Sequence, residues 1–154
     1  MVRLAPGISP AGPADYPRIL EVWEASVRAT HHFVTEADIQ FFHPLVQEGL
    51  PKMPWLACVR DEAGRAAGFV GVSEGKVEML FLHPDARGQG AGKELLLHAI
   101  RVFGATALDV NEQNQQALGF YLRMGFEVVG RSALDGTGKP YPLLHMRLAR
   151  MPDT

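Results

Sequence analysis

The chain has 154 residues, 47% of them hydrophobic, enough to bury the core of one globular domain expected to span residues 1–154. Its 15 Lys and Arg and 17 Asp and Glu leave a formal net charge of −2 with the basic residues scattered, so nucleic acid and an anionic membrane are not expected partners. The single cysteine, Cys58, excludes an internal disulfide, and the lack of an export signal or of a run of about 20 apolar residues points to a cytoplasmic protein.

The N-terminal residues carry Pro6 and Gly7 and allow only a short edge strand. Asp15 followed by Pro17 reads as a helix entry, with Asp15 as N-cap. Ile19, Leu20, Val22, Trp23 and Val27 recur at helical spacing, so the helix is expected to run to about residue 29. A second helix is expected over 36–47 from Ile39, Phe42, Leu45 and Val46, and Pro44 within it predicts a kink or a split. Residues 55–60, 66–72 and 77–82 read as strands joined by short turns, an antiparallel meander.

Residues 77–97 organise the rest. An apolar strand stops at Pro84 and Asp85, a turn carries Gly88, Gly90 and Gly92, and a helix rich in Leu and Ile follows. Unpaired amides at a helix start converge on anions, and glycine lets the backbone approach closely. This is the expected seat of a phosphorylated cofactor. Residues 107–110 read as a short strand after the helix, so strand, helix and strand suggest a crossover, parallel and right-handed if the two strands are sheet neighbours. A helix over 114–124 ends at Gly125, strands follow near 126–130 and 141–148, and the tail from Ala149 is expected to fray. The fold class is α+β, a mixed sheet with helices on its faces.

Arg87-Gly88-Gln89-Gly90-Ala91-Gly92 resembles the Q/R-x-x-G-x-G/A motif of the GNAT superfamily of N-acetyltransferases. Asn111 and Asn114, then Ala117, Phe120, Tyr121, Gly125 and Phe126, resemble its second motif, and the run 138–144 is similar to that of small bacterial YjaB-like members. The resemblance implies a mostly antiparallel sheet with a central parallel strand pair splayed at the cofactor site. It implies acetyl-coenzyme A as co-substrate. The pantetheine arm would lie along Leu80, Phe81 and Leu82, and the pyrophosphate on Arg87, Gly88, Gln89, Gly90, Ala91, Gly92 and Lys93. Asn111 and Asn114 match cofactor-contacting positions, although Asn114 also suits a helix cap.

Acetyl transfer requires an amine to be deprotonated, an oxyanion to be stabilised and a thiolate to be protonated. The resemblance gives the last task to Tyr121, with core packing against Phe120 as the competing explanation. The resemblance, with an acidic residue near this place just before the cofactor strand, makes Glu78 a candidate base, directly or through a water; simple alternation puts it on one face with Leu80 and Leu82, either at a pocket or at the solvated end of the strand. His32 and His31 are the others, since imidazole titrates near neutrality. The six histidines show no ligand spacing, so no metal site is expected. The acceptor would enter between the first helices and the last hairpin, against Trp23, Thr30, His31, Phe33, Tyr141 and His145. That aromatic rim favours a small-molecule or amino-acid-like primary amine. A protein-, peptide- or tRNA-directed enzyme and a non-catalytic acyl-coenzyme A binding module are the alternatives. An exposed edge on the last strand would allow a homodimer.

Overall fold

The computed structural model describes residues 1–152. A seven-stranded sheet has the order β1-β2-β3-β4-β5-β7-β6. Strand β1 (Ser9–Pro10) is the short edge strand foreseen, paired antiparallel to β2 (Trp55–Arg60). Strands β2, β3 (Ala66–Ser73) and β4 (Lys76–Leu82) form the antiparallel meander. The crossover helix α3 (Ala91–Arg101) joins β4 to β5 (Ala107–Asn111), and these two strands are parallel. Helix α4 (Gln115–Arg123) then leads to β6 (Phe126–Ser132) and β7 (Leu143–Leu148). The last strand is not an edge: β7 lies between β5 and β6, and β6 forms the border of the sheet.

Strand β3 is buried along Ala66–Val72 because helices cover both of its faces. On one side the apolar stripe of α1 (Tyr16–Thr30), with Ile19, Val22, Trp23 and Val27, packs on Leu56, Cys58 and Phe69. On the other, Leu95, Leu96, Ala99 and Ile100 of α3 pack on Val59, Val70 and Leu108. Each helix buries the face its 3.6-residue period predicts.

Three local expectations are revised. Asp15 does not cap α1; its carboxylate accepts from the Gly12 amide at 3.0 Å and from Arg60 at 2.8 Å. Helix α2 (Glu36–Gly49) runs through Pro44 without a split. The carbonyl four residues earlier belongs to exposed Gln40, so water can take the missing bond. The tail is held as far as the described residues extend: the Ala149 and Arg150 amides both donate to the Gly125 carbonyl, at 2.8 and 3.3 Å, and Pro152 is buried. Asp153 and Thr154 lie outside the described residues.

Gly125 is the junction of that tail with α4. Its φ is 98°, and an added Cβ would overlap the Arg150 carbonyl oxygen. Left-handed backbone alone costs a non-glycine residue about 1–2 kcal/mol. Gly125→Ala should lower the urea-unfolding free energy by at least about 2 kcal/mol, whereas an exposed-site control such as Gln113→Ala should stay within about 0.5 kcal/mol.

Candidate active site

Strands β4 and β5 pair over Lys76↔Ala107 and Val77↔Leu108 only. Beyond that point they diverge, and a cleft of about 660 Å³ opens between them. Met79, Leu80, Phe81 and Leu82 line one side, and Val110 and Asn111 the other. α4 contributes Phe120, Tyr121 and Arg123, and the end of α1 contributes Ser26, Thr30 and His31.

Across β4 the register slips: Val77 pairs with Val72 and Met79 with Gly71, leaving Glu78 as the extra residue of a bulge. The slip reverses the alternation. Val77 packs in the α3 core, as do Leu80 and Leu82 beyond the bulge. The expected common face of Glu78, Leu80 and Leu82 is therefore not formed. Glu78 is instead exposed at the cleft, because a bulge re-aims the side chain it carries.

The far end of the cleft is built for an anion. Gly88 and Gly90 have φ of 81° and 78°, and a Cβ on either would meet open space. The first helical bond of α3 runs from the Glu94 amide to the Gly90 carbonyl at 3.1 Å. The amides of Ala91, Gly92 and Lys93 thus lack an intrahelical acceptor, and the positive end of the helix dipole faces the same space. Arg87, Lys93 and Arg123 add cationic side chains there. At the bulge end stand two carboxylates, Glu78 and Asp109. The cleft is basic where phosphate would bind; at the other end Glu78 is exposed and Asp109 is paired with Lys76.

Tyr121 is 9% exposed, and burial pushes its phenol up to about 12. It lines the cleft, and among the described residues no side-chain hydrogen bond engages its hydroxyl. His31 is held neutral: burial, with His32 beside it, pushes its imidazole down to about 4. The Thr30 hydroxyl donates to the Ser26 carbonyl at 2.7 Å, so His31 Nδ1, also 2.7 Å from that hydroxyl, must be the donor to it. The remaining ring nitrogen is an acceptor.

Other expected site residues lie elsewhere. Trp23 is buried in the α1 core against His43, and exposed His32 does not line the cleft. Phe33 and Tyr141 pack on each other with ring centroids 6.2 Å apart. The Tyr141 hydroxyl donates to Asp38, which Lys139 also meets at 2.9 Å, so the loop between β6 and β7 is fastened to α2. Gln89 grips the N-terminal segment, donating to the Val2 carbonyl at 2.6 Å and accepting from the Leu4 amide at 3.2 Å. Asn114 caps α4 by accepting from the Ala117 amide at 3.2 Å, and it also lines the cleft. Asn111 lines the cleft while accepting from the Gln113 amide at 3.2 Å.

Sequence reading missed Asp109 and Arg123. The signal for Asp109 was present: it alternates with Leu108 and Val110, both buried in the α3 core, so it must point to the opposite face. There it joins a polar row across four strands. Lys76 Nζ lies 2.6 Å from Asp109 Oδ2, His145 Nδ1 lies 2.6 Å from Asp109 Oδ1, and Ser132 Oγ lies 2.6 Å from His145 Nε2. Burial opposes the Asp109 charge, but the hydrogen bonds from Lys76 and His145 prevail and hold its carboxyl below the usual range. His145 therefore reaches the cleft only through Asp109.

A splayed parallel strand pair with a helix N-terminus at its mouth is the arrangement that the family resemblance implies for an acyl-coenzyme A-dependent transferase. The sequence profile of the Acetyltransferase (GNAT) family matches residues 17–126, and the chain belongs to that family. It is an N-acetyltransferase that uses acetyl-coenzyme A. It is 43% identical over 129 residues to the peptidyl-lysine N-acetyltransferase YjaB of Salmonella typhimurium, covering 84% of this chain and 88% of that protein. It is 31% identical over 130 residues to the peptidyl-lysine N-acetyltransferase YiaC of Escherichia coli, covering 82% and 87%. The solution structure of apo YjaB from Escherichia coli superposes with a TM-score of 0.82 at 38% identity, over 92% of this chain and 96% of that one.

Two outcomes are expected. Gly90→Val places a branched side chain at a φ of 78° beside the free amides. By calorimetry on folded variant, the Kd for acetyl-coenzyme A should rise at least about tenfold, or about 1.4 kcal/mol. His31 gives a pH signature. Its folded pKa of about 4 lies below the ordinary 6.5, so the unfolded chain binds the extra proton between those values. Its contribution is complete above that window and is lost as pH falls through it, by up to about 3 kcal/mol. His31→Gln should therefore lose less stability than the parent between pH 7 and pH 5 in urea titrations.

Proposed function

We propose that the protein acetylates lysine side chains of proteins or peptides. This corrects the expectation of a small-molecule acceptor. The relatives YjaB and YiaC are peptidyl-lysine N-acetyltransferases. The aromatic rim that favoured a small acceptor is also absent as such, since Trp23, Phe33 and Tyr141 are spent on packing. The observation that carries the reading is the 43% identity to YjaB over 84% of the chain. The Glu78 carboxylate, exposed at the bulge end of the cleft, supports it, because it can pair with an alkylammonium carried on a long flexible stem.

Residues of this chain take the following parts. Amides of residues 88–93, with Arg87, Lys93 and Arg123, hold the pyrophosphate of acetyl-coenzyme A, and unpaired backbone of Leu80, Phe81 and Leu82 holds its arm. That cofactor supplies the activated thioester. Glu78 draws in the ammonium, and the neutral His31 ring accepts a hydrogen bond from it. The ammonium passes a proton to the Glu78 carboxylate, directly or through a water, and the free amine attacks the thioester carbonyl. Tyr121 donates its phenolic proton to the departing sulfur; a phenol raised to about 12 is fully protonated at neutral pH.

Purified protein, acetyl-coenzyme A and a bacterial protein extract stripped of endogenous acetyl-lysine should yield new acetyl-lysine by mass spectrometry. Failure to label any lysine, with coenzyme A release on small amines instead, would overturn the acceptor assignment. Tyr121→Phe should lower kcat on the order of 100-fold while the Kd for acetyl-coenzyme A stays unchanged. An equal loss of both would make Tyr121 a packing residue.

A further inference from the structure

We infer that residues 2–5 are a strap that pre-sets the glycine turn for the pyrophosphate, and that Gln89 is the positioning residue through which the strap acts. The inference rests on residues 88–93 being the pyrophosphate seat, and not on the identity of the acceptor. Within residues 87–93, Gln89 alone does not line the cleft. Its neighbours Gly88 and Gly90 do, and both have left-handed backbone. Glycine has no Cβ to restrict φ and ψ, so a turn built on two of them has many conformations open to it. Packing does not select among them, since a Cβ on either glycine would meet nothing within 4 Å. The side chain between the two glycines makes the selection.

The strap is bonded along both edges, as a strand would be. The Val2 amide donates to the Asp85 carbonyl at 2.8 Å, just ahead of the turn. The Gln89 side chain takes the next two groups on that edge. Its Nε2 donates to the Val2 carbonyl at 2.6 Å, and its Oε1 accepts from the Leu4 amide at 3.2 Å. Only one orientation of the amide satisfies both, because a carbonyl only accepts and an N–H only donates. One side chain thus takes the part of a neighbouring strand's peptide group. On the other edge, the Ala5 amide donates to the Arg60 carbonyl at 2.9 Å, and the Glu62 amide donates to the Arg3 carbonyl at 3.2 Å. Those partners are the end of β2 and the turn after it, and Leu4 packs on the α3 core. The glycine turn is therefore tied through the strap to an anchor outside the cleft. A diphosphate that meets a turn already held in place loses less affinity to ordering than one that must order it.

The test uses two variants. Gln89→Met is close in length and has no hydrogen-bonding amide; the other lacks Val2 and Arg3, which sets Met1 directly before Leu4. Amide chemical-shift titrations follow acetyl-coenzyme A and S-acetylpantetheine, which has the arm but no pyrophosphate. In each variant the Kd for acetyl-coenzyme A should rise about fivefold or more, while that for S-acetylpantetheine stays within about twofold. The double variant should bind within about twofold of the weaker single variant, because both changes break one connection. Equal weakening for the two donors would make the strap a stability element only and overturn the inference. Effects that multiply in the double variant would overturn it as well. Wild-type protein that binds the two donors alike would overturn the seat, and this inference with it. A wild-type preference for acetyl-coenzyme A that survives both changes would overturn this inference alone.

Discussion

Strands β4 and β5 are held parallel by only two residue pairs, and the working parts of the protein depend on how they separate afterwards. Parallel neighbours normally continue side by side, because each broken ladder bond leaves a buried donor or acceptor unpaired. Here separation is enforced from both sides. The bulge at Glu78 bends β4 away, and β5 is held by five residue pairs to β7. The unpaired backbone of residues 80–82 then faces a cleft and not a neighbouring strand. A ligand with its own amide groups could restore the missing bonds there.

The bulge serves a second purpose. Without the extra residue, Glu78 would share the face of Leu80 and Leu82 and enter the α3 core. An unpaired carboxylate there would be costly. The slip sends Val77 into that core and leaves Glu78 at the cleft. One inserted residue therefore opens the wedge and supplies an acidic group at its base. The opposite end is made positive by different means, with helix amides from α3 and side chains from α3, α4 and the turn before it. The separation of charge along the cleft follows from which end of β4 carries the bulge and which carries the glycine turn.

Two fastenings keep these parts in register. Gln89, inside the glycine turn, is tied to Val2 and Leu4, so the N-terminal segment braces the loop whose amides face the cleft. Tyr141 and Lys139 converge on Asp38, and Lys139 also lies 4.4 Å from the Phe41 ring centre, which draws the β6–β7 loop onto α2. Both involve residues with evident chemical potential. Their polar atoms are engaged by the protein itself, and their work is to shape the entrance.

The amino-acid sequence by itself determined the elements and the glycine turn at the basic end of the cleft. The helix stripes of α1 and α3, the meander, the glycine turn between strand and helix, and the spacing from Asn111 to Phe126 are local patterns, and local backbone geometry converts them directly into structure. The polar row at the other end was decided only by tertiary structure. Asp109 meets His145 across 36 positions of sequence and Tyr141 meets Asp38 across 103, distances over which no helical or strand period carries information. Strand order placed β7 beside β5, and register across that pair set imidazole against carboxylate. The single-residue slip at Glu78 shows the same limit at short range. Alternation predicts a side chain's face only while the ladder is unbroken, and a bulge is visible only once the partner strand is in place.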